Sequence, residues 1–356
     1  MGVDRQVLLR FGAPGTALLD MEDLSAAHWD GHGLWLAGDE LPRFERLAVK
    51  SGDSSYGEHR SFLIGDFVEL PAGAEKEVDA EGVDRQGDYL WLVGSHSRSR
   101  KRVDPHDLDN DAVEDLAKVR DHPNRQVLIR IALAQDGDEV IPAQSTVAAT
   151  GAVLTSAVLN AELTTALGSD EHFSLFVGIP SKDNGLDVEG LVAFEDRILL
   201  GLRGPVLRGW AAVVEVKPLQ DPADPTRLTL GSPPYRKHFL DLGGLGVRDL
   251  CRDGDDVLVL AGPTMDLDGP VRVYRWHDAG NAQDVEIVSG DQITLATELP
   301  FGDGDDHAEG ITLVSTDGGP TGLLVVYDSP APARRVGAGV LLADIVAIPE
   351  PGQVGA

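Results

Sequence analysis

The segment Gly185-Leu-Asp-Val-Glu-Gly-Leu-Val-Ala-Phe-Glu-Asp-Arg-Ile-Leu-Leu-Gly-Leu-Arg-Gly-Pro205 decides how the rest of the chain is read. An acidic corner carrying Asp187 and Glu189 leads into an apolar run. A polar turn follows at Glu195-Asp196-Arg197, and a second apolar run ends on Gly201 to Pro205. Two apolar runs of strand length joined by a short polar turn predict a β-hairpin with charge gathered at its open end.

The same pattern recurs along the chain. Glu81-Gly-Val precedes Leu90-Trp-Leu-Val-Gly94, and Glu309-Gly-Ile precedes Leu323-Leu-Val-Val-Tyr327. Glu22-Asp-Leu precedes Leu34-Trp-Leu-Ala-Gly38, and Arg248-Asp-Leu precedes Val257-Leu-Val-Leu-Ala-Gly262. Aligned on the Glu, or on the Arg in one copy, the repeats start at 22, 81, 189, 248 and 309, with gaps of 59, 108, 59 and 61. A period near sixty with one long gap marks a repeat architecture.

Between copies the sequence offers further strands at Phe44–Val49, Ser61–Val68, Asn124–Ala134, Trp210–Val216, Tyr235–Leu240, Val271–His277, Gln292–Glu298 and Val340–Ile348. Gln6–Phe11 stands before the first copy and is expected to complete the last sheet, closing a circle with the two ends of the chain. Helical spacing of Leu108, Val113, Leu116 and Val119 predicts a helix over Asp107–Arg120, and the second half of Thr146–Gly168 predicts another. Four-stranded sheets repeated around an axis form a β-propeller. The expectation is an all-β chain forming one propeller domain over 1–356, with five four-stranded blades, or six if the long gap hides a degenerate blade. Residues 97–123 and 150–170 are read as insertions, a helical one following the second hairpin. A two-sheet sandwich would also show short strands, without requiring the period.

The chain carries 59 acidic against 30 basic residues, a formal net charge of −29. Such a surface repels nucleic acid and anionic membranes, whose binding rests on Lys and Arg. The lone cysteine, Cys251, excludes an internal disulfide and any multi-cysteine metal site, and is expected to be a small core residue. No run reaches transmembrane length and the N-terminus has no apolar signal core, so a reducing cytoplasm is the expected compartment.

If the first strand of each copy is innermost, the open hairpin ends converge on one mouth of the central channel. Glu189 then shares an edge with Arg203, Glu81 with Ser95 and His96, Glu22 with Asp39 and Glu40, Arg248 with Gly262, and Glu309 with Asp328. Carboxylates around a narrow axis repel unless protonated, paired or bridged by a cation. Hard oxygen ligands suit Ca²⁺ or Mg²⁺. Glu22, Glu81, Glu189 and Glu309, with Asp79 and Asp187 beside them, are therefore candidate ligands of a divalent cation. The competing structural reading makes the same side chains latches between neighbouring blades. Arg203, Arg208 and Arg248 are candidates to hold the charge of a small anionic ligand, and His96 is the candidate proton carrier. The basic run Arg98–Arg102 could serve the same anion or be a solvated loop. Asp303-Gly-Asp-Asp306 and Asp107-Leu-Asp-Asn-Asp111 lack the sixth-position Gly and twelfth-position Glu of a calcium loop, and are expected to be turns and helix starts. Serine-hydrolase, zinc-protease, phosphate-loop and dinucleotide motifs are absent.

The run Ile179-Pro-Ser-Lys-Asp-Asn-Gly-Leu-Asp-Val-Glu-Gly-Leu191, followed by Gly201-Leu-Arg-Gly-Pro-Val-Leu-Arg-Gly-Trp-Ala211, resembles the bacterial domain of unknown function 3616 family, as does Gly94-Ser-His-Ser-Arg98. That family carries no assigned activity. The Asp-x-Glu-Gly turn and the strand ending Ala37-Gly-Asp-Glu40 are similar to a propeller family described as having phytase esterase-like activity, which implies metal-assisted ester or phosphoester hydrolysis. The functional expectation is a metal-assisted hydrolase of a small anionic ligand. Its rival is a non-catalytic scaffold that binds a protein partner through an exposed apolar patch, where Trp29, Trp276 or the insert helix would sit. A sugar-binding propeller is disfavoured by only five Trp and five Tyr.

Overall fold

The quoted hairpins starting at Glu81, Glu189, Arg248 and Glu309 are built as expected, and the computed structural model shows why their strands are so uniformly apolar. The structure describes residues 3, 5–12, 23–39, 41–49, 55–103, 112–137, 139–265, 267–282, 286–315 and 321–349. Ile198–Leu202 is buried at every position, and so is Val257–Gly262. A strand with one wet face would alternate; these are covered on both faces by neighbouring sheets. Leu199 packs with the sheet that follows, against Val247 and Val257, while Leu200 packs with the sheet that precedes, against Val93 and Leu128.

Among the described residues five hairpin-led units follow one another, each starting on an inner strand: Leu24–Trp29, Ala80–Gln86, Asp187–Ala193, Gly246–Asp253 and His307–Ser315. Every inner strand packs against the next, and the fifth packs against the first. An apolar cluster fills each interface between consecutive units, the last one joining Leu324 and Val326 of the fifth to Leu34 and Leu36 of the first. The architecture is all-β and propeller-like. Burying each such Val, Leu or Ile is worth about 1.5–3 kcal/mol, so the ring interfaces are its main cohesive element.

Closure uses both ends of the chain, as the sequence predicts. Arg5–Arg10 pairs antiparallel with Val340–Val346, from Arg5 opposite Ile345 to Arg10 opposite Val340. It also pairs in parallel with Ser55–Leu63 through Leu8 and Leu9, tying the last unit to the first. Buried Asp344 sits at this seam, accepting hydrogen bonds from Gln6 (2.9 Å), Tyr327 (2.7 Å) and Arg334 (2.8 Å).

The inner hairpins share a bulge. Ala80 faces Gly94 but Gly82 faces Val93, leaving Glu81 without an opposite residue. The same slip leaves out Arg248 between Val247 and Asp249, and Glu309 between Ala308 and Gly310. In the third unit it covers Glu189 and Gly190, and in the first it falls on Ser25. A bulge re-aims one side chain and sharpens the twist. The Gly of the Glu-Gly pair follows from crowding at the axis. A Cβ on Gly190, whose φ is +88°, would lie 2.6 Å from the Asp249 backbone, and one on Gly82 would lie 2.9 Å from the Leu191 backbone nitrogen.

Among the described residues of the long gap, α-helix runs over Ala112–Ala117 and Glu162–Leu167. Val119–Asp121 is a strand paired with Arg98–Arg100, and Ala157–Asn160 pairs with Val127–Asp136 of the second sheet. The Leu108 end of the first expected helix and the Asp107–Asp111 run lie outside the described residues. Cys251 is buried in the core, and burial pushes its thiol up.

Candidate functional site

The bulges of four inner strands point Glu81, Glu189, Arg248 and Glu309 at the mouth of the ring, where a cavity of about 600 Å³ opens. Its walls carry Asp79 and Glu81 from the second unit, Asp187, Glu189 and Arg203 from the third, and Arg248 from the fourth. Glu309 and Asp328 come from the fifth, and Asp39 from the first. Most of the predicted site residues are therefore brought together.

They are not arranged as a cation cage. Among the described residues no three His, Cys, Asp or Glu side chains are grouped so as to hold a metal ion. Guanidinium groups lie between the carboxylates instead. Arg203 Nη1 donates to Glu189 Oε1 at 2.8 Å and lies 3.9 Å from Asp187. Arg248 bridges Glu189 Oε2 at 3.3 Å and Glu309 Oε1 at 2.6 Å. Arg125, from the strand-preceding turn of the second unit, lies 2.8 Å from Asp79, which also accepts from Ser95 Oγ.

Protonation follows this pairing. Burial alone would raise Glu189, but Arg203 and Arg248 hold it below the ordinary carboxylate range. Burial raises Asp187 well above that range, and the charge of Glu189 adds to it. Glu81 is raised well above by burial and then by Asp79, Glu189, Glu309 and Asp39. Burial raises Glu309 despite Arg248, and raises Asp79 despite Arg125 and Ser95. Asp39 is pushed up to about 8 by burial and by Asp79, Asp328, Glu309 and Asp23. The mouth thus combines guanidinium groups with carboxyls shifted in both directions.

Two expected members, His96 and Arg208, stand elsewhere. His96 is buried and does not line the cavity; its Nδ1 meets Thr164 Oγ1 at 2.8 Å, and burial pushes its imidazole down to about 4, so it cannot serve the mouth as a proton carrier. Its backbone, at φ 54°, turns the side chain away from the axis and toward the Glu162–Leu167 helix. Arg208 is exposed in the Leu207–Trp210 turn, outside the cavity wall. Glu22 lies outside the described residues, as does Glu40, and the register gives the equivalent place to Ser25. A spacing signal was available: Glu81 and Ser25 each stand thirteen residues before the Gly ending the next strand, whereas Glu22 stands sixteen before it.

The latch exists one layer below the mouth and uses other residues. Asp84 Oδ2 accepts from Ala193 N at 2.7 Å, and its Oδ1 meets His28 Nδ1 at 2.7 Å. Asp249 Oδ2 accepts from Ile311 N at 2.7 Å, and Thr312 Oγ1 accepts from Trp29 N at 2.9 Å. Each bond crosses from one inner strand to a neighbouring one. Asp306 likewise serves structure, accepting from Ala331 N and Arg334 Nε, each at 2.7 Å.

Two cationic side chains at the mouth came from no repeat position. Lys182, on a single turn before the third inner strand, and Arg102, the last residue of the basic run, line the cavity without an ion pair to any described residue. Ser99 and Arg100 of that run also reach the wall, Arg100 being tied to Asp183 at 2.9 Å.

The family described as Protein of unknown function (DUF3616) matches residues 23–344, which span all five inner hairpins. The chain belongs to this family. No curated protein matches it. Among solved structures, Myxococcus xanthus glutaminyl cyclase is 8% identical with 98% of this chain and 95% of that one aligned, at a TM-score of 0.40. An exo-1,5-alpha-L-arabinanase from a bovine ruminal metagenomic library is 10% identical over 93% and 95%, at 0.38. Those activities are theirs. For this DUF3616 member, chemistry has to be read from its own mouth. Among the described residues no helix is long and apolar enough to cross a membrane.

Proposed function

We propose that this DUF3616 chain is a five-bladed β-propeller whose mouth binds a small anionic ligand and hydrolyses an ester or phosphoester bond in it. The closed cycle of five inner strands and the bulge repeated in each support this blade count. One domain spans the ring, and residues 97–123 are an insertion at its rim. Residues 150–170 are an insertion only in part, because Ala157–Asn160 extends the second sheet.

The observation that carries the reading is Asp187. Its carboxyl is buried in the cavity wall 3.9 Å from Arg203, and burial, then the charge of Glu189, raises it well above the ordinary carboxylate range. A neutral acid beside a fixed charge pair can donate a proton at neutral pH. Lys182 and Arg102 hold the ligand's anionic group. Water attacks the carbonyl carbon or phosphorus as the bond to the leaving oxygen breaks. Asp187 protonates that oxygen, and its carboxylate takes a proton from the attacking water. Arg203 and Arg248 act as positioning residues by keeping Glu189 charged. Turnover of an aryl ester and an aryl phosphate, with isothermal calorimetry of inorganic phosphate, tests this. Asp187→Asn should lower kcat about 100-fold. Undiminished kcat in that variant, or neither turnover nor phosphate binding in the native chain, overturns it.

A second reading, a non-catalytic scaffold for a protein partner, draws on the insert. Val113 is 76% and Leu116 50% exposed. Trp276 is buried and Trp29 half-buried, so they add no aromatic patch. Loss of a stoichiometric partner from the native host on Val113→Glu/Leu116→Glu, with turnover absent throughout, would favour it. A divalent cation belongs to this proposal only if the carboxylates draw closer around it, which calorimetry with CaCl₂ and MgCl₂ checks. Cytoplasmic residence completes the reading, supported by the lone buried cysteine.

A further inference from the structure

We propose that the side of the cavity formed by Glu81, Asp39 and Asp328 seats a protonated primary amine, so that the ligand is zwitterionic. The inference deepens the reading above and rests on its cavity. All the guanidinium pairing described at the mouth falls on other carboxylates: Arg203 and Arg248 on Glu189 and Glu309, Arg125 on Asp79. Glu81 is only 9% exposed, lines the cavity, and has carboxyl groups rather than a cation as its strongest electrostatic neighbours. Among the described residues, Asp39 has a buried Oδ1 with no hydrogen-bond partner, and the Asp328 side chain accepts from Ser329 Oγ at 3.2 Å and forms no ion pair.

Buried carboxyls without partners carry a desolvation cost that a charge-matched ligand relieves. An anion is repelled here. A divalent metal needs oxygens within about 2.0–2.6 Å of one point, which this set does not supply. An ammonium has three donors reaching about 2.8 Å each, and so spans carboxylates set further apart. Lys182 and Arg102, on the walls of the same cavity, take the ligand's negative end. The groups facing Asp39 are Asp79, Asp328, Glu309 and Asp23, all acidic, and Asp39 is pushed up to about 8. Amine binding therefore ionises a neutral acid and releases its proton, and affinity rises with pH toward 8.

Butylamine, inorganic phosphate and CaCl₂ are titrated separately into the full chain by calorimetry, with a pH-indicator dye following the proton in weakly buffered solution. The expected result is butylamine binding with proton release, weakened at least ten-fold in Glu81→Gln and in Asp39→Asn, both with native circular dichroism. Phosphate binding without butylamine binding overturns the amine subsite and leaves the hydrolase reading standing; loss of both overturns the two together. Calcium binding that Glu81→Gln abolishes while butylamine is ignored reassigns this side of the cavity to a metal. Butylamine binding unchanged in both variants places the amine elsewhere and also overturns the inference.

Discussion

Glu189 and Glu81 occupy the same bulge on successive inner strands, yet their surroundings shift them in opposite directions. Glu189 is gripped by Arg203 from its own hairpin and Arg248 from the next, which hold it below the ordinary carboxylate range. Glu81 is raised well above that range by burial and then by Asp79, Glu189, Glu309 and Asp39. Equal residues at equal places therefore do different chemistry, because what neutralises a carboxylate in a ring comes from the adjoining strand. One half of the mouth is an ion-pair lattice, and in the other Glu81, Asp39 and Asp328 form no ion pair with a described residue.

Stability offers the sharpest way to break that contrast. Arg248→Met strands Glu309 and half of Glu189, and should cost about 3–5 kcal/mol in urea unfolding at neutral pH. Glu81→Gln removes no pairing and should cost less than about 1 kcal/mol. Similar losses in the two variants would mean that the two halves do not differ as described.

A smaller effect is expected one layer down, where the ring is uniform. Asp84→Ala and Asp249→Ala each leave a buried backbone N–H unpaired, at Ala193 and Ile311, and should each cost about 1–3 kcal/mol. Unequal costs would show that the asymmetry of the mouth extends into the latch.

The last effect is a slope in pH rather than a single loss. Asp39 holds its proton in the folded chain up to about pH 8, whereas an unfolded Asp has lost it above about pH 4. The folded state binds more protons across that window, so this contribution to stability is complete below it and declines as pH rises toward 8. Asp39→Asn should flatten thermal stability measured from pH 5 to pH 8; an unaltered slope would place the titration on another group.

Much of the ring was legible because its signals are local. Hairpins at Glu81, Glu189, Arg248 and Glu309 announce themselves by two apolar runs and a polar turn, and Arg5–Arg10 by a strand with no partner of its own. The first copy was misaligned because Glu22-Asp-Leu mimics the motif, while the bulge is set by which residues face Gly38 and Ala37. Of the predicted helix over Asp107–Arg120, the described part is helical over Ala112–Ala117 and turns to a strand at Val119–Asp121, which pairs with Arg98–Arg100.

By itself the amino-acid order determined the strands, the sixty-residue period and the gathering of acids at one end of each hairpin. Only the tertiary structure decided which acids keep a proton, that His96 faces Thr164 rather than the axis, and that Lys182 and Arg102 join the mouth. The reason is range: strand propensity and hairpin pairing act between near neighbours in sequence, whereas ionisation depends on charges within a few ångströms in space. Arg248 and Glu309 meet at 2.6 Å across 61 residues of chain.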